Sequence, residues 1–63
     1  MSNNELMVIE SIIAEINENN ADKNCNSHRF DESIKIAKRV LLIYNMSIAY
    51  DNSKDEYITI NLL

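Results

Sequence analysis

Cys25 and His28 are the two residues whose types and spacing come closest to a chemical site. A thiolate and an imidazole three positions apart can bind zinc, or can act as a nucleophile and its base. Zinc normally takes four ligands, and these are the single cysteine and the single histidine of the chain. An oxygen from Asp22 or Asp31 would have to help complete the site. We therefore predict a polar loop here, with no metal, no cofactor and no catalytic residue.

A second candidate is the run from Asp51 through Ser53 to Asp55, which resembles the opening of a calcium-binding loop. Such a loop needs glycine at its sixth position and a bidentate acid at its twelfth. Here those positions hold Glu56 and Leu62. The sequence therefore predicts a solvated turn rather than a calcium site.

Charge is distributed unevenly along the chain. Residues 1–22 carry five acids and no base, residues 23–39 carry five bases and two acids, and the remainder has a net charge of −2. The first two segments are electrostatically complementary, so they could pair within one chain, in a dimer, or with a basic partner. We predict an acidic partner-binding face and a secondary contact near the last turn. The face comprises Glu5, Glu10, Glu15 and Glu18, and the secondary contact comprises Asp55, Glu56 and Tyr57.

Direct binding to nucleic acid is disfavoured. Lys35, Lys38 and Arg39 share one helical face and could contact phosphates. However, the chain has a net charge of −4, so its mean field repels a polyanion. Nor does the sequence contain a helix-turn-helix signature or an aromatic platform for stacking bases.

Length and composition predict one small domain over residues 1–63. A domain of this size buries only about 60% of its unfolded surface, so dimerisation or docking would add needed burial. Glycine and proline are both absent, which argues against glycine-rich phosphate-binding loops. The lone cysteine, the polar start and the lack of a long apolar run predict a cytoplasmic protein without a membrane segment.

The elements follow from hydrophobic periodicity. A capping-box pattern at Ser2 and Glu5 precedes an apolar stripe with helical spacing, which predicts a helix over residues 3–18. The asparagine-rich stretch 19–27 is predicted to be a loop. A second helix is predicted to begin near Phe30 or Asp31, with Asp31 as its cap.

Residues 44–50 and 57–62 alternate between apolar and polar positions around the Asp51–Asp55 turn, which predicts a β-hairpin. Asn45, in a left-handed conformation, is expected to end the second helix. The predicted fold is therefore α+β, two helices followed by a C-terminal hairpin packed beneath them. The alternative is an all-α helical hairpin, possibly dimeric, in which the second helix continues to Tyr50.

No catalytic constellation emerges, so we predict a non-enzymatic protein. The function we expect is a small acidic domain that docks on a larger macromolecule and inhibits or modulates it, as a phage-type inhibitor, anti-defence factor or antitoxin does. Its partner would be a protein, for example a basic nucleic-acid-binding one. The alternative is a structural module that acts as a homodimer or as a subunit of a larger complex.

Overall fold

A computed structural model describes residues 2–22 and 24–63. It contains two helices followed by an antiparallel two-stranded hairpin, which confirms the α+β prediction. The all-helical alternative is wrong. The elements are α1 (Asn3–Ala21), α2 (Ser27–Leu42), β1 (Met46–Asp51) and β2 (Glu56–Asn61).

Helix α1 begins as predicted and ends three residues later than predicted. The Ser2 hydroxyl accepts a hydrogen bond from the Glu5 N–H at 3.2 Å and donates one to the Glu5 carboxylate at 3.2 Å. The predicted loop began at residue 19, but nothing there breaks a helix, and α1 continues to Ala21. It stops at Asp22, whose backbone is extended and whose carboxylate accepts a hydrogen bond from the Asn24 N–H at 2.9 Å.

Helix α2 begins at Ser27, so the predicted start near Phe30 or Asp31 is wrong. Asn26 is the cap, because its side-chain oxygen accepts hydrogen bonds from the N–H groups of His28 and Arg29, at 2.8 and 3.3 Å. An upstream asparagine that satisfies two otherwise unpaired donors starts the helix one turn earlier. Asp31 therefore lies inside the helix.

Asn45 has the predicted left-handed conformation, but the C-cap of α2 is Ile43, so the helix ends before Asn45. The helix ends at Leu42, and the Asn45 N–H still donates to the Leu42 carbonyl oxygen at 3.0 Å. Asn45 has φ 58°, a left-handed conformation that asparagine tolerates better than most residues. Its own carbonyl oxygen accepts a hydrogen bond from the Leu62 N–H at 2.9 Å, which extends the hairpin ladder by one pair.

The hairpin turn comprises residues 52–55, between the paired residues Asp51 and Glu56. The Asp51 carboxylate accepts hydrogen bonds from the N–H and the hydroxyl of Ser53, at 3.0 and 2.6 Å. Asp55 closes the turn with φ 50°. The carboxylate of Asp51 is thus used to hold the turn.

Both helices pack on one face of the hairpin, with α2 over β1 and α1 over β2. The core is small, and Leu41 at its centre is completely buried. Phe30 and Tyr57 are half-buried and pack against this core. Their two rings contact each other edge to face, with ring centroids 5.8 Å apart. The buried residues are Ile9, Ile16, Ala37, Leu41 and Ile48.

The two strands place their apolar residues on opposite faces of the hairpin. Directly paired residues share a face, and buried Ile48 pairs with Thr59. Ile58 and Ile60 therefore lie on the outer face, away from the helices. The expectation of one apolar hairpin face beneath the helices holds for β1 and is wrong for β2. The reason is the register: a four-residue turn that pairs Asp51 with Glu56 turns Tyr57, not Ile58, towards the core.

Candidate protein-binding surface

The residues singled out for metal or thiol chemistry do not form a site. Cys25 is half-buried, and its Sγ lies 3.8 Å from the Asn26 carbonyl oxygen. His28 is exposed in the first turn of α2. Within residues 2–22 and 24–63, no three histidine, cysteine or acidic side chains are arranged to hold a metal ion.

The four predicted acidic contacts do not share one face of α1. Successive helical residues are about 100° apart, so Glu10, Glu18 and Glu15 occupy an arc of about 140° and Glu5 lies about 80° beyond Glu15. Glu5 is half-buried and is engaged with Ser2 in the helix cap. The other three are exposed. An acidic surface on α1 therefore comprises Glu10, Glu15 and Glu18.

The predicted secondary contact is divided between the turn and the interior. Asp55 is exposed and accepts a hydrogen bond from the Tyr50 hydroxyl. This bond raises the pKa of Tyr50 above its ordinary value of 10.0, because ionisation would lose the bond and place a second negative charge beside the carboxylate. Glu56 and Tyr57 are half-buried. Tyr57 lies against the core and also packs against Tyr50, with ring centroids 5.1 Å apart.

One feature that sequence reasoning missed is a group of exposed apolar residues on the side of the helices away from the hairpin. Around the axis of α1, Val8 is about 180° from Asn17, the residue that contacts β2. Around the axis of α2, Ile36 is about 140° from Leu41, which is buried in the core. Met7 keeps 63% of its surface exposed and Ile36 keeps 59%. We call this the outer helical surface. It comprises Met7, Val8, Ile12, Ile36 and Val40.

The outer helical surface extends over two adjoining depressions, and polar side chains such as Glu15 and Ser11 lie among its apolar residues. Ile12 and Val40 line a shallow groove between α1 and α2, with Ile36 at its rim. The same Ile12 also borders a second depression along α1, which Met7 and Val8 line. The groove encloses about 210 Å³ and is open to solvent. The depression along α1 measures about 480 Å³ and is more open still, so neither depression encloses a small molecule and the surface suits a protein better than a metabolite.

The end of the groove nearest the interhelical connection is polar and carries both signs of charge. Glu15 on α1 and Arg29 on α2 line it together with Ser33 and Asn19. Across the described part of the chain, the one ion pair joins Lys35 and Glu32 at 3.4 Å, inside α2. The complementary charges of the two helices are thus not paired with each other in a single copy.

The basic residues Lys35, Lys38 and Arg39 lie exposed on α2. Around the helix axis, Arg39, Lys35 and Lys38 are about 60°, 100° and 160° from Ile36, so only Arg39 lies beside the outer helical surface. One sequence signal could have revealed that surface. On a helical wheel, Ile36 lies off the apolar stripe of α2 between Arg29 and Glu32. Met7 lies off the stripe of α1 between Glu10 and Glu18.

None of the helices among the described residues combines the length and apolar character needed to cross a bilayer. Comparisons with protein families, with characterised proteins and with solved structures found no match for this chain. What the chain does must therefore be argued from its own surfaces.

Proposed function

We propose that the chain is a protein-binding domain, without catalytic activity of its own, that works by association through the outer helical surface. The observation that carries the proposal is the exposure of apolar side chains along two adjoining depressions, with Met7 and Ile36 each more than half exposed. Monomeric proteins rarely leave a contiguous apolar patch uncovered, and such patches commonly mark binding sites. A polar, charged rim beside an apolar centre is also the usual anatomy of an interface.

The acidic residues of α1 support a second, more specific version, in which the domain inhibits or modulates a basic macromolecule. Glu10 and Glu18 are exposed and form no ion pair within the described residues. Such charges mainly accelerate association and select the partner. Replacing Glu5, Glu10, Glu15 and Glu18 together with glutamine should then slow binding to that partner and weaken its salt dependence. Unchanged binding after this replacement would remove this version.

Site-specific photo-crosslinking in the native cell tests the proposal directly. A photoreactive residue at position 36 should give covalent adducts with protein, because Ile36 lies in the proposed contact. The matched control is the same residue at position 38, because Lys38 is exposed on the same helix but about 160° from Ile36 around its axis. Adducts from position 36 and not from position 38 support the proposal. No adduct from either position, with the folded protein present, refutes it.

A further inference from the structure

We propose that the occupant of the outer helical surface is a second copy of this chain, giving a two-fold dimer in which α1 of each copy lies across α2 of the other. The inference rests on the proposed function, since it names the partner at the same surface. Three observations carry it: the exposed area, the arrangement of charge, and the arrangement of apolar and polar halves along the helices.

The exposed area is larger than a folded monomer of this mass should have. The chain exposes 4839 Å² at 7.3 kDa. The usual scaling for monomers gives about 4,200 Å². The excess, roughly 600–700 Å², approaches the roughly 800 Å² that each partner buries in a standard interface. One further copy would therefore bury an area comparable to this excess, although exposed residues such as Ile43 and Leu63 would remain outside the interface.

Charge selects the orientation of the second copy. The charged residues of α1 are all acids, whereas α2 carries four bases, Arg29 among them, against the two acids Asp31 and Glu32. A two-fold axis parallel to the helices puts each α1 over the partner's α2, at the same level along the axis. An axis perpendicular to the helices puts α1 over α1, with acid facing acid. Opposite charges therefore favour the first arrangement over the second.

The same axis also matches the two halves of the surface. Ile12, Ile36 and Glu15 line one stretch of the groove, and Arg29 joins Glu15 at the end near the interhelical connection. A parallel axis keeps every residue at its own level, so apolar meets apolar. Ile36 of one copy then lies against Ile12 of the other, and Glu15 of one copy faces Arg29 of the other. Each of these contacts occurs twice, as two-fold symmetry requires.

The first test is the solution mass, measured by light scattering after size exclusion over a range of concentrations. The wild-type chain should have twice the chain mass, and Ile36→Glu should have the monomer mass. Ile58→Glu is the matched control, because Ile58 is 38% exposed on the opposite, outer face of the hairpin. Circular dichroism verifies that each variant is folded. A dimer that survives Ile36→Glu and dissociates in Ile58→Glu overturns the proposed interface.

The second test reverses the paired charges. Glu15→Arg and Arg29→Glu should each weaken the dimer at least about tenfold, because each places like charges in contact twice. Mixing these two variants should restore association, since both cross-contacts are then between opposite charges. The double variant should restore it as well. Failure of the mixture to associate overturns the pairing of Glu15 with Arg29.

The two proposals fail differently. A wild-type chain that is monomeric at all accessible concentrations overturns the dimer. If position 36 then gives crosslinks to a different protein, the proposed function survives with another partner. If position 36 gives an adduct of twice the chain mass, both proposals are supported.

Discussion

Asn17 forms with Tyr57 the two hydrogen bonds that a neighbouring strand would form. Its side-chain Nδ2 donates to the Tyr57 carbonyl oxygen at 2.9 Å, and the Tyr57 N–H donates to its Oδ1 at 2.5 Å. The two residues are 40 positions apart in sequence. A helix side chain thus closes part of the open edge of β2, where unpaired backbone groups invite pairing with other chains.

This pairing makes Asn17 the polar residue of α1 that stability depends on most. Asn17→Ala leaves the backbone N–H and carbonyl oxygen of Tyr57 without these two hydrogen bonds at a half-buried site. Each such bond contributes about 0.5–1.5 kcal/mol. We expect a loss of about 1–3 kcal/mol in the free energy of unfolding, measured by urea denaturation. Asn20→Ala is the control, because Asn20 is exposed on the same helix. Equal stability of the two variants would show that the pairing contributes nothing.

Elements whose signals are local could be predicted from the sequence. The capping box at Ser2, the alternation of β1 and the left-handed residue Asn45 each depend on a few neighbouring residues. The start of α2 could not be fixed this way, because Asn26 and Asp31 are both good caps. Which one is used depends on whether the first turn packs against the rest of the protein, where Phe30 meets Tyr57.

The hairpin register and the candidate surface depend on non-local contacts, so the sequence was a poor guide to both. Alternation in β2 is compatible with either face, and the choice follows from the pairing of Asp51 with Glu56 and from the anchoring of Tyr57 by Asn17. Similarly, an apolar residue such as Ile36 is core or surface according to where the second helix lies. The sequence shows how many glutamates α1 carries, but their positions around the helix axis separate Glu5 from Glu10, Glu15 and Glu18.

Asn45 should tolerate glycine and resist alanine. At φ 58°, glycine has no steric cost, whereas a β-carbon costs about 1–2 kcal/mol unless the side chain compensates as asparagine does. We expect Asn45→Gly to match or exceed the wild-type free energy of unfolding and Asn45→Ala to lie about 1 kcal/mol or more below it. The same pair of substitutions at Asn52 in the turn serves as the control. Equal stabilities for Asn45→Gly and Asn45→Ala would contradict the left-handed conformation.

The bond from Tyr50 to Asp55 should make stability fall at high pH. The pKa of Tyr50 is raised in the folded state by this bond, so its contribution is complete below the ordinary value of 10.0 and is lost as the pH rises through the raised pKa. The wild-type protein should therefore have a higher free energy of unfolding than Tyr50→Phe below about pH 10, and this difference should disappear at higher pH. Urea denaturation across this pH range measures the difference. Tyr44→Phe is the control, because it removes a tyrosine hydroxyl outside this bond. Its free energy of unfolding should fall with rising pH as that of the wild type does.

The register of the hairpin can be tested by two substitutions at adjacent positions of β2. Thr59 pairs with buried Ile48 on the inner face, whereas Ile58 pairs with Ala49 on the outer face. Thr59→Val should raise the free energy of unfolding by about 0.5–1 kcal/mol, because it replaces a partly desolvated hydroxyl with a methyl group. Ile58→Thr should lower it by less than about 1.5 kcal/mol, because Ile58 remains partly exposed. A shift of one residue in register would reverse this order, since it would bury Ile58 and expose Thr59. A larger loss from Ile58→Thr, together with no gain from Thr59→Val, would therefore show that β2 packs with its other face towards the helices.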